Sequence, residues 1–285
     1  MVLLRFLTFA LAAGLVAAQD PLTPPAETVP PPVLKLAYRY SGRPIVVEAH
    51  CGDAEIADYG MSCTEDEPCP VYLELAAVEA VGSKLFLAGN FHAGTATLWS
   101  ILLASEDLGE SWTEPYERLR GVSFEQMQFP GFATGFVAGH TAGTLDKDPF
   151  ILRTSDGGKN WLKKPLFEEG AVGLIEQFHF DSATHGTLGV DRRRPGVTRY
   201  ATLETESGGD SWAIRESSAT RPARTAREST PLARIVADAS LKAFRIERRE
   251  GGVWKTVAAF SVAAGTCRYQ PKAAAPEPAP SGQLH

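Results

Sequence analysis

Residues 154–161 read Thr-Ser-Asp-Gly-Gly-Lys-Asn-Trp, and this octet indicates the fold because it recurs along the chain. A copy at 105–112 reads Ser-Glu-Asp-Leu-Gly-Glu-Ser-Trp, and one at 205–212 reads Thr-Glu-Ser-Gly-Gly-Asp-Ser-Trp. A shortened fourth copy, Glu-Gly-Gly-Val-Trp, occupies 250–254. The closing tryptophans lie 49, 51 and 42 residues apart. A period of this length is typical of supersecondary units that are too small to fold alone and stack on their neighbours.

Three short apolar runs precede each of the two later full octets. They are 124–129, 135–139 and 150–153 before the octet at 154–161, and 175–180, 186–190 and 200–203 before the octet at 205–212. Each unit is therefore predicted to hold three strands, a tight turn at the octet, and a fourth strand that begins at the tryptophan.

The residue types within the octet are those of a stabilised turn. A Ser or Thr ends one strand, and an Asp two residues later can accept backbone N–H bonds across the turn. Glycines supply positive φ, and the tryptophan packs back over the sheet. The residues predicted to be structural in this way are Ser105, Asp107, Gly109, Trp112, Thr154, Asp156, Gly158, Trp161, Thr205, Ser207, Gly209, Trp212, Gly251 and Trp254.

These octets resemble the Asp-box, or BNR, repeat of sialidases, sortilin-type receptor domains and photosystem II assembly factors. Gly-Phe-Val-Ala-Gly at 135–139 and Leu-Arg-Thr-Ser-Asp-Gly-Gly-Lys-Asn-Trp at 152–161 are most similar to the photosystem II assembly and stability factor group. The resemblance covers roughly 71–260. It implies an all-β fold, a β-propeller of four-stranded antiparallel blades. About five blades fit the length, with residues 33–51 and 261–269 forming a composite fifth blade, so that strands from both termini close the ring.

The two ends of the chain have a different composition from the repeats. Residues 1–18 carry one early positive charge, an apolar run and terminal small residues, and we interpret them as a signal peptide. A membrane anchor is the alternative, but the run of about 13 residues is shorter than the roughly 20 needed to span a bilayer. Residues 19–32 are predicted to be a proline-rich linker, 33–270 the propeller, and 271–285 a disordered tail rich in proline and alanine. The predicted location is secreted or periplasmic.

The chain has four cysteines, and in an exported protein an even number favours disulfides. Four cysteines permit three connectivities, and the sequence does not choose among them. We favour Cys51 with Cys267 and Cys63 with Cys69, because the first pair would tie the earliest strands to the last. A zinc site is the alternative. It is disfavoured because no two cysteines have two-residue spacing and no histidine lies near Cys63 or Cys69.

The sequence offers no catalytic machinery. The formal net charge of −6 excludes the usual basic footprint of a nucleic-acid-binding protein. The chain has no Gly-x-Ser-x-Gly nucleophile motif. The sialidase resemblance would imply an arginine triad, a nucleophilic Tyr with a partner Glu, an Asp acid/base and an Arg-Ile-Pro motif. The nearest match to that motif is Gly42-Arg43-Pro44-Ile45, in which the residues stand in a different order. We therefore predict a non-enzymatic protein with no cofactor and no metal.

Two histidines are weak candidates for ligand contact. His92 and His140 occupy matching positions after the second apolar run of neighbouring units. A propeller could bring both to one face, but two histidines without a third ligand make a poor metal site. The favoured interpretation is that they are polar loop residues beside flexible glycines.

The distribution of charge indicates the kind of partner. Residues 46–130 hold 15 acidic and 3 basic residues, whereas residues 191–250 hold 13 basic and 9 acidic residues. Arginine clusters bind carboxylates and acidic protein segments well. The candidate partner-binding residues are Arg192, Arg193, Arg194, Arg221, Arg224 and Arg227. The predicted function is a scaffold or assembly-type factor that binds an exported or membrane-bound protein; a glycan-binding or degenerate sialidase-like protein is the alternative.

Overall fold

A computed structural model describes residues 37–193, 195–222 and 231–269. The predicted signal peptide, linker and tail lie outside the described residues. The predicted all-β class is confirmed, because the described residues form seventeen strands and one helix of six residues, Asp53–Asp58. The strands are β1 (Ala37–Arg39), β2 (Cys69–Val81), β3 (Lys84–Ala93), β4 (Ala96–Ser105), β5 (Ser111–Thr113), β6 (Val122–Gln128), β7 (Gly135–Thr141), β8 (Lys147–Thr154), β9 (Leu162–Pro165), β10 (Leu174–Phe180), β11 (Gly186–Asp191), β12 (Tyr200–Thr205), β13 (Ala213–Ser218), β14 (Ala233–Asp238), β15 (Ala243–Glu250), β16 (Val253–Ser261) and β17 (Ala263–Cys267).

These strands form four antiparallel sheets. The first sheet has the order β1-β5-β4-β3-β2-β17, the second is β6-β7-β8-β9, the third is β10-β11-β12-β13, and the fourth is β14-β15-β16. In the first three sheets a full octet joins the third strand of the repeat to the fourth, which begins within two residues of the tryptophan. The strand plan of the repeat is therefore the predicted one.

The terminal strands differ from the prediction of a separate fifth blade. In the described part of the chain they extend the first sheet: Tyr38 of β1 pairs with Trp112, and Cys267 of β17 pairs with Cys69. Residues 45–51 run parallel to residues 260–267, with β-bridges from Ile45 to Phe260 and from Cys51 to Cys267. This pairing has a physical reason, because the outer edges of β2 and β5 would otherwise present unpaired backbone N–H and C=O groups.

Both predicted disulfides are present. Cys51 is bonded to Cys267 across a sequence separation of 216, and Cys63 is bonded to Cys69 across a separation of 6. The described residues contain no free cysteine. Bonds of this kind persist in oxidising compartments.

Three apolar clusters hold the sheets together. The fourth sheet packs on the first around Phe260 and Ile246. The first packs on the second around Phe86 and Phe150, and the second packs on the third through Phe136. Among the described residues no cluster joins the third sheet to the fourth.

Two side-chain amides, one buried and one half-buried, join neighbouring sheets through backbone hydrogen bonds. Asn90, which is 2% exposed, donates to the carbonyl of Phe124 at 3.0 Å and accepts from its N–H at 2.8 Å. Gln128 makes the same two bonds to the backbone of Phe180, at 2.9 and 2.8 Å. Each amide satisfies backbone groups that would otherwise be buried without partners.

The first two octets have the same hydrogen-bonded turn. In the second, the Thr154 hydroxyl accepts from the Gly158 N–H at 3.0 Å and donates to Asp156 at 2.9 Å. The Asp156 carboxylate accepts from the N–H groups of Lys159 and Asn160, both at 3.0 Å. The Trp161 indole N–H donates to the Gly158 carbonyl at 3.1 Å. Ser105, Asp107, Gly109, Ser111 and Trp112 make the corresponding bonds in the first octet.

The third octet is a weaker version of this turn. The Ser207 hydroxyl stands in for the Asp and accepts from the Ser211 N–H at 2.9 Å, and Thr205 accepts from the Gly209 N–H at 3.0 Å. The indole nitrogen of Trp212 is buried without a hydrogen-bond partner. A hydroxyl has fewer acceptor sites than a carboxylate, so this turn holds fewer backbone groups.

The fourth copy is not a turn of this kind, which corrects the structural role predicted for Gly251 and Trp254. It forms a two-residue hairpin between β15 and β16, in which Glu250 pairs with Val253. Gly251 and Gly252 have φ values of 56° and 86°, the left-handed conformation that a tight hairpin requires. Trp254 lies in β16 opposite Arg249. The copy lacks the hydroxyl and carboxylate that hold the octet turn together.

Removal of the Asp156 carboxylate is expected to destabilise the protein in a pH-dependent way. The backbone and side chain of Asn160, and then Thr154, lower the pKa of Asp156 from 3.8 to about 2. Because the pKa is lowered in the folded state, the stabilisation is complete above the ordinary pKa and is lost as the pH falls through about 2. Asp156→Ala should cost about 1 kcal/mol at pH 7, the usual value of a lost cap, and this cost should shrink between pH 5 and pH 2. Urea unfolding across that range measures the difference.

The third octet provides the control for this experiment. Ser207→Ala removes a similar turn contact that does not titrate, so its cost should be independent of pH. A cost for Asp156→Ala that stayed constant down to pH 2 would contradict the proposed role of the carboxylate.

Candidate functional site

The third sheet has one apolar face and one polar face. Its apolar side packs on the second sheet, where the rings of Phe136 and Phe180 stack with centroids 3.5 Å apart. Residues directly opposite each other on neighbouring strands share a face. By that rule the other side carries two rows of mostly polar residues, which we call the polar face: Gln177, Gly189, Thr202 and Glu216 in one row, and His179, Thr187 and Glu204 in the next.

Burial along the strands follows the same plan in the second and third sheets. The second strand, β7 or β11, is buried at all positions but one, and the last strand, β9 or β13, is mostly exposed. The third sheet differs in that no apolar cluster of the described residues covers its polar face.

A cleft of about 790 Å³ lies along the polar face. Its lining is mostly polar: Glu125, Gln126, His140, Asp146, Glu176, Gln177, His179, Thr187 and Thr202, with Leu174, Ile175, Phe178, Leu188 and Pro222. A second cleft of about 320 Å³ also includes Glu125, Gln126 and Phe178. Such a lining offers hydrogen bonds more than apolar contact.

A β-bulge at the same place in three strands brings carboxylates to the clefts. The pairing of β2, β6 and β10 with their neighbours skips one residue each, namely Ala76, Glu125 and Glu176. A bulge bends the strand and redirects the extra side chain. The Ser123 hydroxyl donates to Glu125 at 2.5 Å, and Arg221 donates to Glu176 at 2.8 Å. The Glu-Gln dipeptide recurs in the sequence at 125–126 and 176–177, but the bulges are evident only from the register of the strands.

A buried carboxylate anchors the loop that follows β11. Asp191 is fully buried and accepts two bonds from Arg199, at 3.0 and 2.9 Å, and one from Arg193 at 3.0 Å. Burial raises the pKa of Asp191, but the bonds from Arg199 and Arg193 outweigh it, so the pKa is lowered. Buried charges are stable only with such partners. The loop is therefore held at the edge of the cleft.

Three of the candidate partner-binding arginines lie in the described ranges, and all three bind groups of the chain itself. Arg192 donates to the Thr198 carbonyl at 2.7 Å and to the Ser217 hydroxyl at 3.1 Å. Arg193 binds Asp191, and Arg221 binds Glu176. Arg194, Arg224 and Arg227 lie outside the described residues.

Most of the described arginines in residues 191–250 form ion pairs with carboxylates of the same chain. Beyond the arginines already named, four more bind carboxylates: Arg215 pairs with Glu204, Arg234 and Arg245 with Glu247, and Arg248 with Glu250. The charges of each pair neutralise one another, and in the pairs of Arg234 and Arg245 the carboxylate of Glu247 is buried. An excess of arginine in the sequence is thus not an open basic surface in the described part of the fold.

The two histidine candidates lie in different surroundings. His92 is 2.8 Å from Glu74 and 3.3 Å from the Thr97 hydroxyl. His140 is 8% exposed, lies 3.3 Å from Asp146, and lines the cleft. The hydrogen bond from His92 lowers the pKa of Glu74. The one group of metal-ligating side chains found in the described residues includes neither histidine.

That group, His185, Glu204 and Glu206, lies at the octet end of the polar face, and the sequence did not single it out. We call the group, together with Asp181 beside His185, the rim cluster. His185 Nδ1 is 2.7 Å from Asp181, and Nε2 is 3.2 Å from Glu204 and 3.8 Å from Glu206. Hydrogen bonds to Glu204 and Asp181 raise the pKa of His185, and the bond from His185 lowers the pKa of both carboxylates. The alternation Glu204-x-Glu206 was visible, but its placement opposite His185 depends on the register of β11 and β12.

No helix in the described ranges is long and apolar enough to span a membrane.

No family model and no curated protein matches the chain. Among solved structures, it is similar to a polysaccharide lyase of family PL25, an ulvan lyase, with 8% identity and a TM-score of 0.40 over 69% of this chain and 52% of that one. An α-L-arabinanase from Penicillium chrysogenum has 10% identity and a TM-score of 0.36, over 78% and 65% of the two chains. YCF48 from Cyanidioschyzon merolae has 15% identity and a TM-score of 0.22, over 63% and 68%. The chain spans about half the length of the ulvan lyase. Sequence identities and TM-scores this low carry no information about the function of this chain.

Proposed function

We propose that this chain is an exported, non-enzymatic β-propeller that acts as a scaffold and holds another protein on the polar face of the third sheet. The observation that carries the proposal is the solvated side of that sheet, which no apolar cluster among the described residues covers. Each of the three octet-bearing sheets repeats the strand plan of a propeller blade. The two disulfides and the signal-like residues 1–18 support export.

A protein partner fits this face for two reasons. The face is polar and carries Thr, Gln and His side chains, which can bond to backbone groups of a partner. Among the described strands its outer strand, β13, pairs with β12 alone, and an edge of this kind can accept an added strand. Ile214 in β13 is 56% exposed and offers an apolar contact beside that edge.

The direct test is a substitution in the middle of the polar face. Thr202→Lys places a charge in the cleft, and a charge buried unpaired at an interface costs several kcal/mol. Capture of the client by cross-linking from the exported fraction of the source cells should therefore fall at least tenfold. Thr95→Lys is the matched control, because Thr95 is an exposed turn residue between β3 and β4. Equal capture by the wild type and Thr202→Lys would overturn the proposal.

Charge reversal at Arg193 is a poor test of the same idea. Arg193 helps to hold the buried Asp191, so its loss would disturb the loop as well as any partner contact.

Glycan binding is the second candidate, and the composition of the clefts favours it. The carboxylates of Glu125 and Glu176, the amides of Gln126 and Gln177, and the half-buried ring of Phe178 line the larger cleft. Polar groups that fix orientation beside an aromatic ring are typical of small-ligand sites. If glycans are the ligands, an array should show binding by the wild type that Glu125→Gln weakens and Glu110→Gln, an exposed control, does not. Absence of array binding would exclude this candidate for the glycans displayed.

A further inference from the structure

We propose that the rim cluster is a zinc site, with His185 Nε2 and one carboxylate oxygen each from Glu204 and Glu206 as ligands. The proposal goes beyond the scaffold function and does not depend on it. The three ligand atoms lie within 4.8 Å of one another. Three protein ligands with an open fourth position are a common arrangement for zinc.

The strand geometry explains why these side chains converge. Glu204 lies in β12, and Glu206 is the first residue after that strand ends at Thr205. Gly186, the first residue of β11, pairs with Thr205, so His185, just before β11, lies beside Glu206. The three ligands therefore come from the adjoining ends of two neighbouring strands and need no long loop to bring them together.

The two distances from the imidazole are close to those of tetrahedral zinc. Zinc binds nitrogen and oxygen at about 2.0–2.1 Å, which sets two tetrahedral ligands about 3.3–3.4 Å apart. His185 Nε2 is already 3.2 Å from Glu204 Oε1 and 3.8 Å from Glu206 Oε1. The Glu206 side chain is 74% exposed, so it is the ligand that can move to complete the geometry.

The residues around the ligands have the expected supporting roles. The Asp181 carboxylate lies 2.7 Å from His185 Nδ1. When Nδ1 donates its proton there, Nε2 is left as the unprotonated atom that a metal requires. Asp181 is itself held by His179 at 2.8 Å, and Arg215 binds the second oxygen of Glu204, leaving Oε1 for the ion. An imidazole ligand favours zinc over calcium or magnesium, which prefer oxygen alone.

The test is calorimetric titration of the full chain with zinc chloride after treatment with EDTA. The wild type should show saturable binding of one equivalent. His185→Asn and Glu206→Gln should each weaken binding at least tenfold, the usual cost of a lost ligand or its support. Glu206→Gln is the safer variant, because a side chain that is mostly exposed contributes little to folding.

The chain supplies matched controls for both variants. Glu106 occupies the same position in the first octet but lies 2.9 Å from Lys84 and not beside a histidine. His92 forms a pair with Glu74 that lies outside the group of metal-ligating side chains. Glu106→Gln and His92→Asn should bind zinc as the wild type does. No saturable binding by the wild type would overturn the proposal, as would undiminished binding by Glu206→Gln or His185→Asn, or equal losses in the controls.

Discussion

Replacement of Cys51 and Cys267 by serine is expected to lower the free energy of unfolding by about 4–5 kcal/mol. A disulfide stabilises mainly by restricting the unfolded chain, and the effect grows with the logarithm of the loop that it closes. This bond closes a loop with a sequence separation of 216, which includes almost all of the described residues. It also fixes residues 45–51 beside β17, because both sulfur-bearing residues are buried in the first core cluster. Denaturant unfolding of the oxidised protein measures the loss.

The second disulfide is the matched control. Cys63 and Cys69 are only 6 residues apart, so the same chain-entropy argument gives about 2 kcal/mol for their replacement. The long-range bond should therefore cost clearly more than the short one. Equal losses would show that loop closure is not how the Cys51–Cys267 bond stabilises the fold.

Trp112→Ala is expected to cost about 3–5 kcal/mol, the usual range for removal of a buried tryptophan. The Trp112 side chain is fully buried, meets Phe260 edge-on at 5.2 Å between ring centroids, and donates its indole N–H to Gly109 at 3.0 Å. It therefore links the first octet to the apolar cluster shared by the first and fourth sheets. Thermal or urea unfolding of the purified variant gives the loss.

The other repeat tryptophans make this a graded experiment. Trp161 is 9% exposed and keeps its indole hydrogen bond, so its loss should be slightly smaller. Trp212 has no partner for its indole nitrogen.

The tryptophan of the hairpin has a different contact. Trp254 lies on β16 with the Arg234 guanidinium 4.3 Å from its ring, a contact of about 1 kcal/mol. The expected order of cost is Trp112, Trp161, Trp212 and Trp254. A cost for Trp254→Ala as large as for Trp112→Ala would contradict the distinction between octet turn and hairpin.

The sequence predicted those features that are encoded locally. The octet turn is specified within eight residues, since Thr154 and Asp156 bond to groups no more than four positions away. The strand plan between octets follows from apolar runs of similar spacing. The fourth copy also differs locally, because Arg249 stands five residues before its tryptophan, where the other copies have Asp or Ser.

The sequence did not predict features that depend on distant pairing. The pairing of β17 with β2 joins residues nearly two hundred positions apart, and no local pattern distinguishes it from a separate sheet. Counting arginines showed an excess of charge but not that Asp191 and Glu176 bind three of them. The rim cluster remained hidden for the same reason, since His185 meets Glu204 and Glu206 only in the correct register.

Hydrogen–deuterium exchange of the chain, alone and bound to its captured client, shows whether the polar face holds the partner. We expect slower exchange in β12 and β13 when the client is bound, because the polar face and the outer edge of β13 become covered. We expect no change in β9, which lies at the outer edge of the second sheet. Protection confined to the octet turns, or unchanged exchange across β12 and β13 with the client bound, would contradict the claim that this face holds the partner.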